Sequence, residues 1–321
     1  MYVLVTGANG TVGRVLCDVL ELAGHTVTRS GVELLDKPGY KPMDILYPDS
    51  VYDTLRPMTQ QVVIHLGAEM GIKNGEYFPH RMIEANVLGT LNIVNACKQA
   101  GMRLIYVSSS DVYGRLFDEG PVSEDMDIPA SAPKNIYALA KLMSEQVVRH
   151  SAVTTPCLLR DPVIIRPVML YGPGELPTQW RSALIRMCRA EVEGDQFFIH
   201  EGARRGWLYY EDFARAILCI LEAMKDGKEA HAKLPYDIYN IGNDDYRTLD
   251  QLHKVVRSEM DRLGMKCRGI IVNQHGESLD RELRSMDKVF SYDRIHELGW
   301  KPCVPLETGV RQVLKTFKGC C

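Results

Sequence analysis

Proton-handling side chains are concentrated at the end of one apolar segment. Residues 107–114 read VSSSDVYG, so three serines and an aspartate follow directly on the apolar run LIYV. Further along, YALAK places Tyr137 and Lys141 four residues apart, on one face of a predicted helix and within reach of one site. Hydroxyl, carboxylate, phenol and ammonium groups transfer or hold protons in enzymes. The pattern indicates acid–base chemistry at the end of a buried strand.

A glycine-rich turn follows the first predicted strand. The segment TGANGTVGR places Gly7, Gly10 and Gly13 between that strand and the first predicted helix. Glycines at such a turn let the backbone approach a pyrophosphate, whose charge is met by free N–H groups and the helix dipole. A plain tight turn would also explain them. The position at the first strand-to-helix connection favours a dinucleotide site.

The elements that must position these groups alternate along the first half of the chain. Apolar strands are predicted at YVLVTG, HTVTRS, QVVIHLG, RLIYVSS and PVIIRPV, with helices between them. This alternation is typical of a parallel sheet covered on both faces. We predict an α/β fold with a Rossmann-type doubly wound parallel sheet in residues 1–167, rejoined by segments near 207–242. Residues 168–321 are predicted to form mainly a smaller substrate-binding lobe.

The composition excludes several classes of protein. With 38 basic and 41 acidic residues, no global field would attract nucleic acid or an anionic membrane. No apolar run approaches the roughly 18 residues of a membrane-spanning helix. The nine cysteines form no CxxC or Cys/His cluster, so neither a disulfide framework nor a metal site is predicted. We expect a cytoplasmic protein, with the C-terminal pair Cys320 and Cys321 either modified or simply exposed.

The order of these motifs resembles that of the extended short-chain dehydrogenase/reductase family, particularly its nucleotide-sugar epimerases and dehydratases. The resemblance covers nearly the whole chain, through TGANGTVG, VVIHLGA, VSSSDVYG, YALAK, IIRPVMLYGPG and LGWKP. It implies an NAD(P)-dependent enzyme that oxidises the sugar of a nucleotide sugar transiently at C4 and returns the hydride within one turnover. It also implies a homodimer formed through the helices at 81–100 and 135–150.

The same resemblance implies roles for four residues. Tyr137 would be the base that takes the proton of the sugar hydroxyl, and the nearby cation Lys141 would favour its phenolate. Ser109 would share the hydrogen bond. Asp111 falls where sugar 4,6-dehydratases carry an acidic residue, which would remove the C5 proton of the 4-keto intermediate. The alternative is that Asp111 only satisfies amides of the loop.

Cofactor contacts are implied by the resemblance in several segments of the chain. The family's NAD-binding Asp would fall near Gly31, where we find no carboxylate, whereas Arg29 lies close by. An Arg holds a 2′-phosphate, so this region favours NADP over NAD. The expected cofactor residues are Gly7, Gly10, Thr11, Val12, Gly13, Arg29, Asp44, Ile45, Leu66, Ala68, Asn86, Tyr137 and Lys141.

The substrate side departs from the family pattern. Met169 stands where related enzymes often place an Asn near the substrate phosphate. Arg205 and Arg284 are candidates for binding a diphosphate, and a solvated surface position is the alternative for each. Two other functions remain open, an NADPH-dependent carbonyl reductase and a non-catalytic NADP-binding regulatory subunit. The presence of Ser109 with Tyr137 and Lys141 argues against the regulatory subunit, because a site without catalytic activity has no chemical reason to keep all three.

Overall fold

A sheet of seven parallel strands forms the centre of the structure, a computed structural model that describes residues 1–35, 37–56, 61–153, 159–175, 182–200, 204–224, 234–274 and 287–318. The strands are β1 (Tyr2–Thr6), β2 (Thr26–Gly31), β3 (Tyr40–Pro42), β4 (Val62–His65), β5 (Arg103–Val107), β6 (Arg160–Pro167) and β10 (Ile238–Ile241). They lie in the order β3-β2-β1-β4-β5-β6-β10, all parallel. The predicted fold class is therefore confirmed.

The order of strand addition reverses between β1 and β4. From β1 the chain adds β2 and β3 on one side, and it then returns to add β4, β5 and β6 on the other. Ligands of open parallel sheets bind where this reversal opens a crevice at the carboxyl ends of the strands. Those ends are Thr6 of β1, His65 of β4 and Val107 of β5, which bring the glycine turn and the serine-rich segment to one edge.

Helices cover both faces of the sheet. One face packs α1 (Thr11–Leu22) against α8 (Tyr210–Ala223), and the other packs α2 (Pro48–Leu55), α5 (Gly89–Ala100) and α6 (Ile136–Val153). The helix predicted at 81–100 consists of α4 (Pro79–Ile83), a π-helical turn at Glu84–Leu88 and α5. The short helix α3 (Ile72–Tyr77) precedes α4, and a 3₁₀ segment, Ser110–Asp118, follows β5.

The second half of the chain builds a smaller lobe and also returns to the sheet. The strands β7 (Met169–Tyr171), β9 (Arg205–Tyr209) and β11 (Tyr246–Arg247) form one small sheet, and β8 (Gln196–His200) pairs with β12 (Ile270–Gln274). Around them lie α7 (Ala183–Glu193), α9 (Leu249–Arg262), α10 (Asp293–Glu297) and α11 (Leu306–Lys318). The helix α8 starts directly after β9, and β10 then completes the main sheet beside β6. Within the described ranges, no helix is long and apolar enough to cross a membrane.

A buried ion pair connects α6 to the sheet. Arg166 on β6 donates to both carboxylate oxygens of Glu145 on α6, at 3.0 and 2.6 Å, and both side chains are almost fully buried. Arg166 also donates to the Tyr113 hydroxyl at 2.9 Å, and that hydroxyl donates to Oδ1 of Asn240 on β10 at 2.9 Å. Each member of the network has partners, as buried polar groups require. The network therefore ties α6, β6, β10 and the 3₁₀ segment together.

Removing one charge of this pair should strongly destabilise the fold. We expect Glu145→Gln to lower the free energy of unfolding by about 3–5 kcal/mol, because it leaves the Arg166 guanidinium buried without its counter-charge. The matched control is Glu193→Gln, which breaks the exposed pair of Arg189 and Glu193 and should cost no more than about 0.5 kcal/mol. Urea denaturation of both variants measures the difference, and equal losses would contradict the importance given to the buried pair.

Candidate active site

The backbone of the glycine turn is packed too closely to admit side chains. Gly7 has a φ of +65°, and a Cβ on Gly13 would lie 2.3 Å from the carbonyl oxygen of Gly7. The helix α1 begins after Gly10, and no described side chain caps its first turn. Its first N–H groups and the positive end of its dipole suit a pyrophosphate. This backbone cradle fits the dinucleotide that the sequence predicts.

A cavity of about 690 Å³ lies over the carboxyl ends of the central strands. A volume of this size is typical of small-molecule sites. Its lining joins the expected cofactor residues to the expected catalytic residues. The predicted site residues that line it are Gly7, Gly10, Thr11, Val12, Gly13, Leu66, Ala68, Ser109, Asp111, Tyr137, Lys141 and Met169.

Ser109, Tyr137 and Lys141 meet in this cavity because α6 packs against the end of β5. Lys141 donates a hydrogen bond from Nζ to the carbonyl oxygen of Val107, the last residue of β5, at 2.9 Å. Tyr137, one turn earlier on α6, lies close enough to Ser109 for its hydroxyl to lower the pKa of the phenol. Oγ of Ser109 accepts from the amide of Asp111 at 3.1 Å, which starts the 3₁₀ segment. Tyr137 and Lys141, four residues apart in the sequence, therefore lie beside Ser109 in one cluster of side chains.

Burial sets the protonation of the two groups on α6. It raises the pKa of Tyr137 above its usual range, the negative charge of Asp111 adds to this, and the hydrogen bond from Ser109 opposes it. Burial lowers the pKa of Lys141 to about 8, and the charge of Glu145 opposes that shift. At neutral pH, Tyr137 is therefore a phenol and Lys141 mostly an ammonium. Both groups line the same cavity, where a cation favours a phenolate that forms when the proton leaves.

Asp111 contacts a residue that the sequence did not suggest. Its carboxylate forms an ion pair with the ammonium of Lys288, 177 residues further along the chain. Lys288 lines the same cavity as Tyr137. No motif in the surrounding segment DKVFSYD pointed to the site. The sequence also missed further lining residues, among them Glu175, Ser182 and Tyr210, and the Tyr210 hydroxyl donates to Glu175 at 2.9 Å.

The surroundings of Gly31 differ from the expectation. Arg29 is ion-paired with Asp18 at 2.7 Å and with Glu21 at 2.9 Å, which directs its guanidinium toward α1. The expectation that no carboxylate stands near Gly31 is wrong. A Cβ on Gly31 would lie 2.8 Å from Oε2 of Glu33, because the chain turns back after β2.

Hydrogen bonds hold the Glu33 carboxylate at this position. Oε2 of Glu33 accepts from the side-chain amide of Asn9 in the glycine turn at 2.8 Å and from the Tyr40 hydroxyl at 3.1 Å. The Asn9 bond is the largest cause that lowers the pKa of Glu33, so the carboxylate is ionised. This geometry does not favour the prediction of NADP.

Three other expected cofactor residues lie outside the cavity lining. Asp44 accepts from the amide of Leu46 at 2.9 Å, and Ile45 packs against Gly89 at the start of α5. Asn86, in the π-helical turn, accepts from the amide of Glu69 at 2.9 Å and donates to its carbonyl oxygen at 3.0 Å. Asn86 therefore holds the loop after β4, and that loop lines the cavity.

The expected substrate residues are only partly assembled. Met169, at the start of β7, lines the cavity. Arg205 is largely buried on β9, outside the cavity lining, and donates to the carbonyl oxygen of Arg204 at 3.0 Å. Arg284 lies outside the described residues. In the described part of the chain, no cluster of three or more His, Cys, Asp or Glu side chains could hold a metal ion.

Comparison with known proteins identifies the family of this chain. The model of the NAD dependent epimerase/dehydratase family matches residues 3–242. The match spans most of the chain, so the chain belongs to this family. The predicted family, and with it an NAD(P)-dependent enzyme of the epimerase/dehydratase class, is confirmed.

Individual relatives are distant but match over nearly their whole length. The chain is 25% identical to the UDP-N-acetyl-alpha-D-glucosaminuronate decarboxylase of Bacillus cytotoxicus, over 98% of this chain and 97% of that protein. It is 27% identical to the GDP-6-deoxy-D-mannose reductase of Pseudomonas aeruginosa, over 98% and 96% of the two chains. These relatives perform different reactions, so they leave the reaction of this chain open.

Solved structures show the same fold. The UDP-glucose 4-epimerase of Thermus thermophilus, in complex with NAD, superimposes with a TM-score of 0.77 at 22% identity and full coverage of both chains. RMD from Pseudomonas aeruginosa, complexed with NADPH, gives a TM-score of 0.76 at 24% identity and covers 100% of this chain and 99% of that one.

Proposed function

We propose that this chain acts on a nucleotide sugar by oxidising it transiently at C4. The observation that carries the proposal is the meeting of Ser109, Tyr137 and Lys141 in the cavity that also contains the glycine cradle. A nicotinamide cofactor, when bound, supplies the acceptor for the C4 hydride. The residues of the chain supply the proton acceptor for the hydroxyl on the same carbon.

Each of the three residues has one task in this step. Tyr137 takes the proton of the C4 hydroxyl as the C4–H bond breaks and the C–O bond becomes a carbonyl. Ser109 shares the hydrogen bond that places the hydroxyl. Lys141 is held in place, since Nζ is bound to the Val107 carbonyl, and its charge stabilises the phenolate of Tyr137.

Asp111 is proposed to act after the ketone has formed. A ketone at C4 makes the neighbouring C5 proton acidic, and a carboxylate near that carbon can remove it. Asp111 lines the cavity and lies close enough to Tyr137 for its charge to affect the phenol. The reactions open to such a site are dehydration, decarboxylation and epimerisation, which share the 4-keto intermediate.

The function is tested with purified protein, nicotinamide cofactor and a panel of UDP-glucose, UDP-glucuronic acid, UDP-N-acetylglucosamine and dTDP-glucose. We expect one of these sugars to be converted without net consumption of the cofactor, as seen by mass spectrometry and nuclear magnetic resonance. Stoichiometric consumption of NADPH would instead indicate a carbonyl reductase, and no change in any sugar would contradict the proposal.

Replacing Tyr137 by Phe should separate chemistry from binding. Tyr137→Phe removes the proton acceptor but little volume, so we expect an unchanged melting temperature, retained cofactor binding and a rate lower by a factor on the order of a hundred or more. Tyr47→Phe, at an exposed tyrosine, is the matched control and should keep the full rate. If Tyr137→Phe retains activity within a few fold of wild type, Tyr137 is not the base.

We propose NAD as the preferred cofactor, supported by the position of Glu33. A carboxylate beside Gly31 can accept from a ribose 2′-hydroxyl and repels a 2′-phosphate. We expect NAD to bind on the order of tenfold or more tighter than NADP, measured by calorimetry or by the shift in melting temperature. Glu33→Gln should reduce the difference in affinity between NAD and NADP, whereas the control Arg29→Gln should leave that difference unchanged. Tighter binding of NADP to the wild type would contradict the proposal.

We also propose a cytoplasmic homodimer formed through the helices at 81–100 and 135–150, which include the π-helical turn, α5 and most of α6. Large apolar side chains are exposed there, with Leu88 51%, Leu91 36% and Met143 41% accessible. Neighbouring exposed apolar residues mark protein interfaces. We expect sedimentation velocity to give a dimer for the wild type and a monomer for Leu91→Glu. A monomeric wild type at micromolar concentration would contradict the proposal.

A further inference from the structure

The ion pair of Asp111 and Lys288 lies in the wall of the cavity. Both side chains are mostly buried, with 17% of Asp111 and 10% of Lys288 accessible. The two residues come from different parts of the fold, since Asp111 begins the 3₁₀ segment after β5 and Lys288 precedes α10. The pair therefore joins the serine-rich segment to the later part of the chain at the reaction site.

The backbone on both sides of Lys288 is fixed to other elements. The Lys288 amide donates to the carbonyl oxygen of Arg204 at 3.2 Å, and the Arg204 guanidinium is paired with Asp287 at 2.7 Å. On the other side, the amide of Val122 donates to the carbonyl oxygen of Val289 at 3.0 Å. A lysine on an exposed loop would lack such support. The structure directs this one at the cavity.

An aromatic group supports the ion pair from the protein interior. The ammonium of Lys288 lies 5.9 Å from the ring centroid of Phe117. The rings of Phe117 and Phe290 pack edge to face with centroids 5.0 Å apart, and both side chains are buried. A charge beside such apolar rings is poorly solvated, so the opposite charge of the partner stabilises each member of the pair.

We propose that Lys288 is a positioning residue for Asp111, and that the pair makes this chain an enzyme that breaks the C5–H bond after C4 oxidation. This rests on the proposed function. The ammonium holds the Asp111 carboxylate at the wall of the sugar site, where it accepts the C5 proton. A simple C4 epimerase breaks no bond at C5 and has no use for such a base.

The charge balance of the step explains why a cation is needed. The C5–H bond of the 4-keto sugar breaks, its proton goes to the Asp111 carboxylate, and its electron pair forms the C4–C5 enolate. Asp111 becomes neutral while the sugar becomes negative, so one negative charge moves from the carboxylate to the enolate. The Lys288 ammonium remains beside both groups and balances the charge before and after the transfer.

The experiment measures C4 oxidation and C5 exchange separately in the same samples. The intact protein is incubated in deuterated water with NAD and UDP-glucose, UDP-N-acetylglucosamine or dTDP-glucose. Absorbance of reduced nicotinamide reports C4 oxidation, and nuclear magnetic resonance of the recovered sugar reports deuterium at C5. The variants are Lys288→Met, Lys288→Arg, Asp111→Asn and the double variant of Lys288→Met with Asp111→Asn, with Lys301→Met at an exposed lysine as control.

We expect Lys288→Met to keep C4 oxidation within a few fold and to lose C5 labelling by a factor on the order of a hundred, as Asp111→Asn does. The double variant should lose no more than either single variant, since the two residues act as a unit. Lys288→Arg, which keeps the charge, should retain most of the labelling. The melting temperatures of Lys288→Arg and Lys288→Met are compared as well. Similar melting temperatures show that a loss of labelling in Lys288→Met comes from the lost charge and not from unfolding.

Four results would overturn the proposal. Lys288→Met with C5 labelling at the wild-type rate would show that the ammonium is dispensable. A parallel loss of C4 oxidation and C5 labelling, not rescued by Arg, would show a purely structural role. A wild type that oxidises C4 but never labels C5 would show a C4 epimerase, with the proposed function intact. A wild type that forms no reduced nicotinamide and converts none of the sugars would overturn the proposed function as well.

Discussion

The hydrogen bond from Nζ of Lys141 to the Val107 carbonyl holds the site together, because it joins the helix that carries Tyr137 to the strand end that precedes Ser109. An ammonium buried at this depth needs a partner, and the carbonyl oxygen at the end of the strand supplies one. The bond therefore satisfies a buried charge. It also fixes the rotation of α6, so Tyr137 must lie over the carboxyl edge of the sheet.

The same helix carries a second buried charge one turn further on. Glu145 follows Lys141 by four residues and pairs with Arg166 on β6, while Oγ of Ser144 donates to the carbonyl oxygen of Asn86 at 2.7 Å. A helix that buries an ammonium and a carboxylate against a sheet can pack in one register only, since any shift would leave charges unpaired. The geometry of the candidate site is thus a consequence of how α6 satisfies its own polar groups.

Local patterns in the sequence predicted the fold and most of the central site. The alternation of apolar strands and helices identified the parallel sheet, and the four-residue spacing of Tyr137 and Lys141 identified one helical face. The glycine turn was recognisable because its backbone contacts occur within a few residues, as Gly13 against Gly7 shows. These features depend on the period of a helix or a strand and on short turns, which a sequence displays directly.

The remaining features depend on side chains that meet across the fold. Lys288 reaches Asp111 over 177 residues, and no spacing in the chain indicates that contact. Arg29 was expected to be available to a phosphate, but β2 lies beside α1 and the carboxylates of that helix pair with the guanidinium. Glu33 was overlooked although it lies only two residues after Gly31, because the sequence does not show that the turn after β2 directs its carboxylate back to Gly31 and Asn9. The direction and partners of these charged side chains are determined by the folded structure, and the proposals on the cofactor and on the C5 step depend on them.

The central claim is that a hydrogen of the sugar leaves C4 as hydride while Tyr137 accepts the hydroxyl proton. The most direct measurement uses a nucleotide sugar labelled with deuterium at C4, mixed rapidly with the wild-type protein and NAD. Mass spectrometry of the cofactor after quenching should show deuterium in the reduced nicotinamide, and Tyr137→Phe should slow its appearance by a factor on the order of a hundred or more. Turnover of the labelled sugar with no deuterium ever found on the nicotinamide would contradict the account.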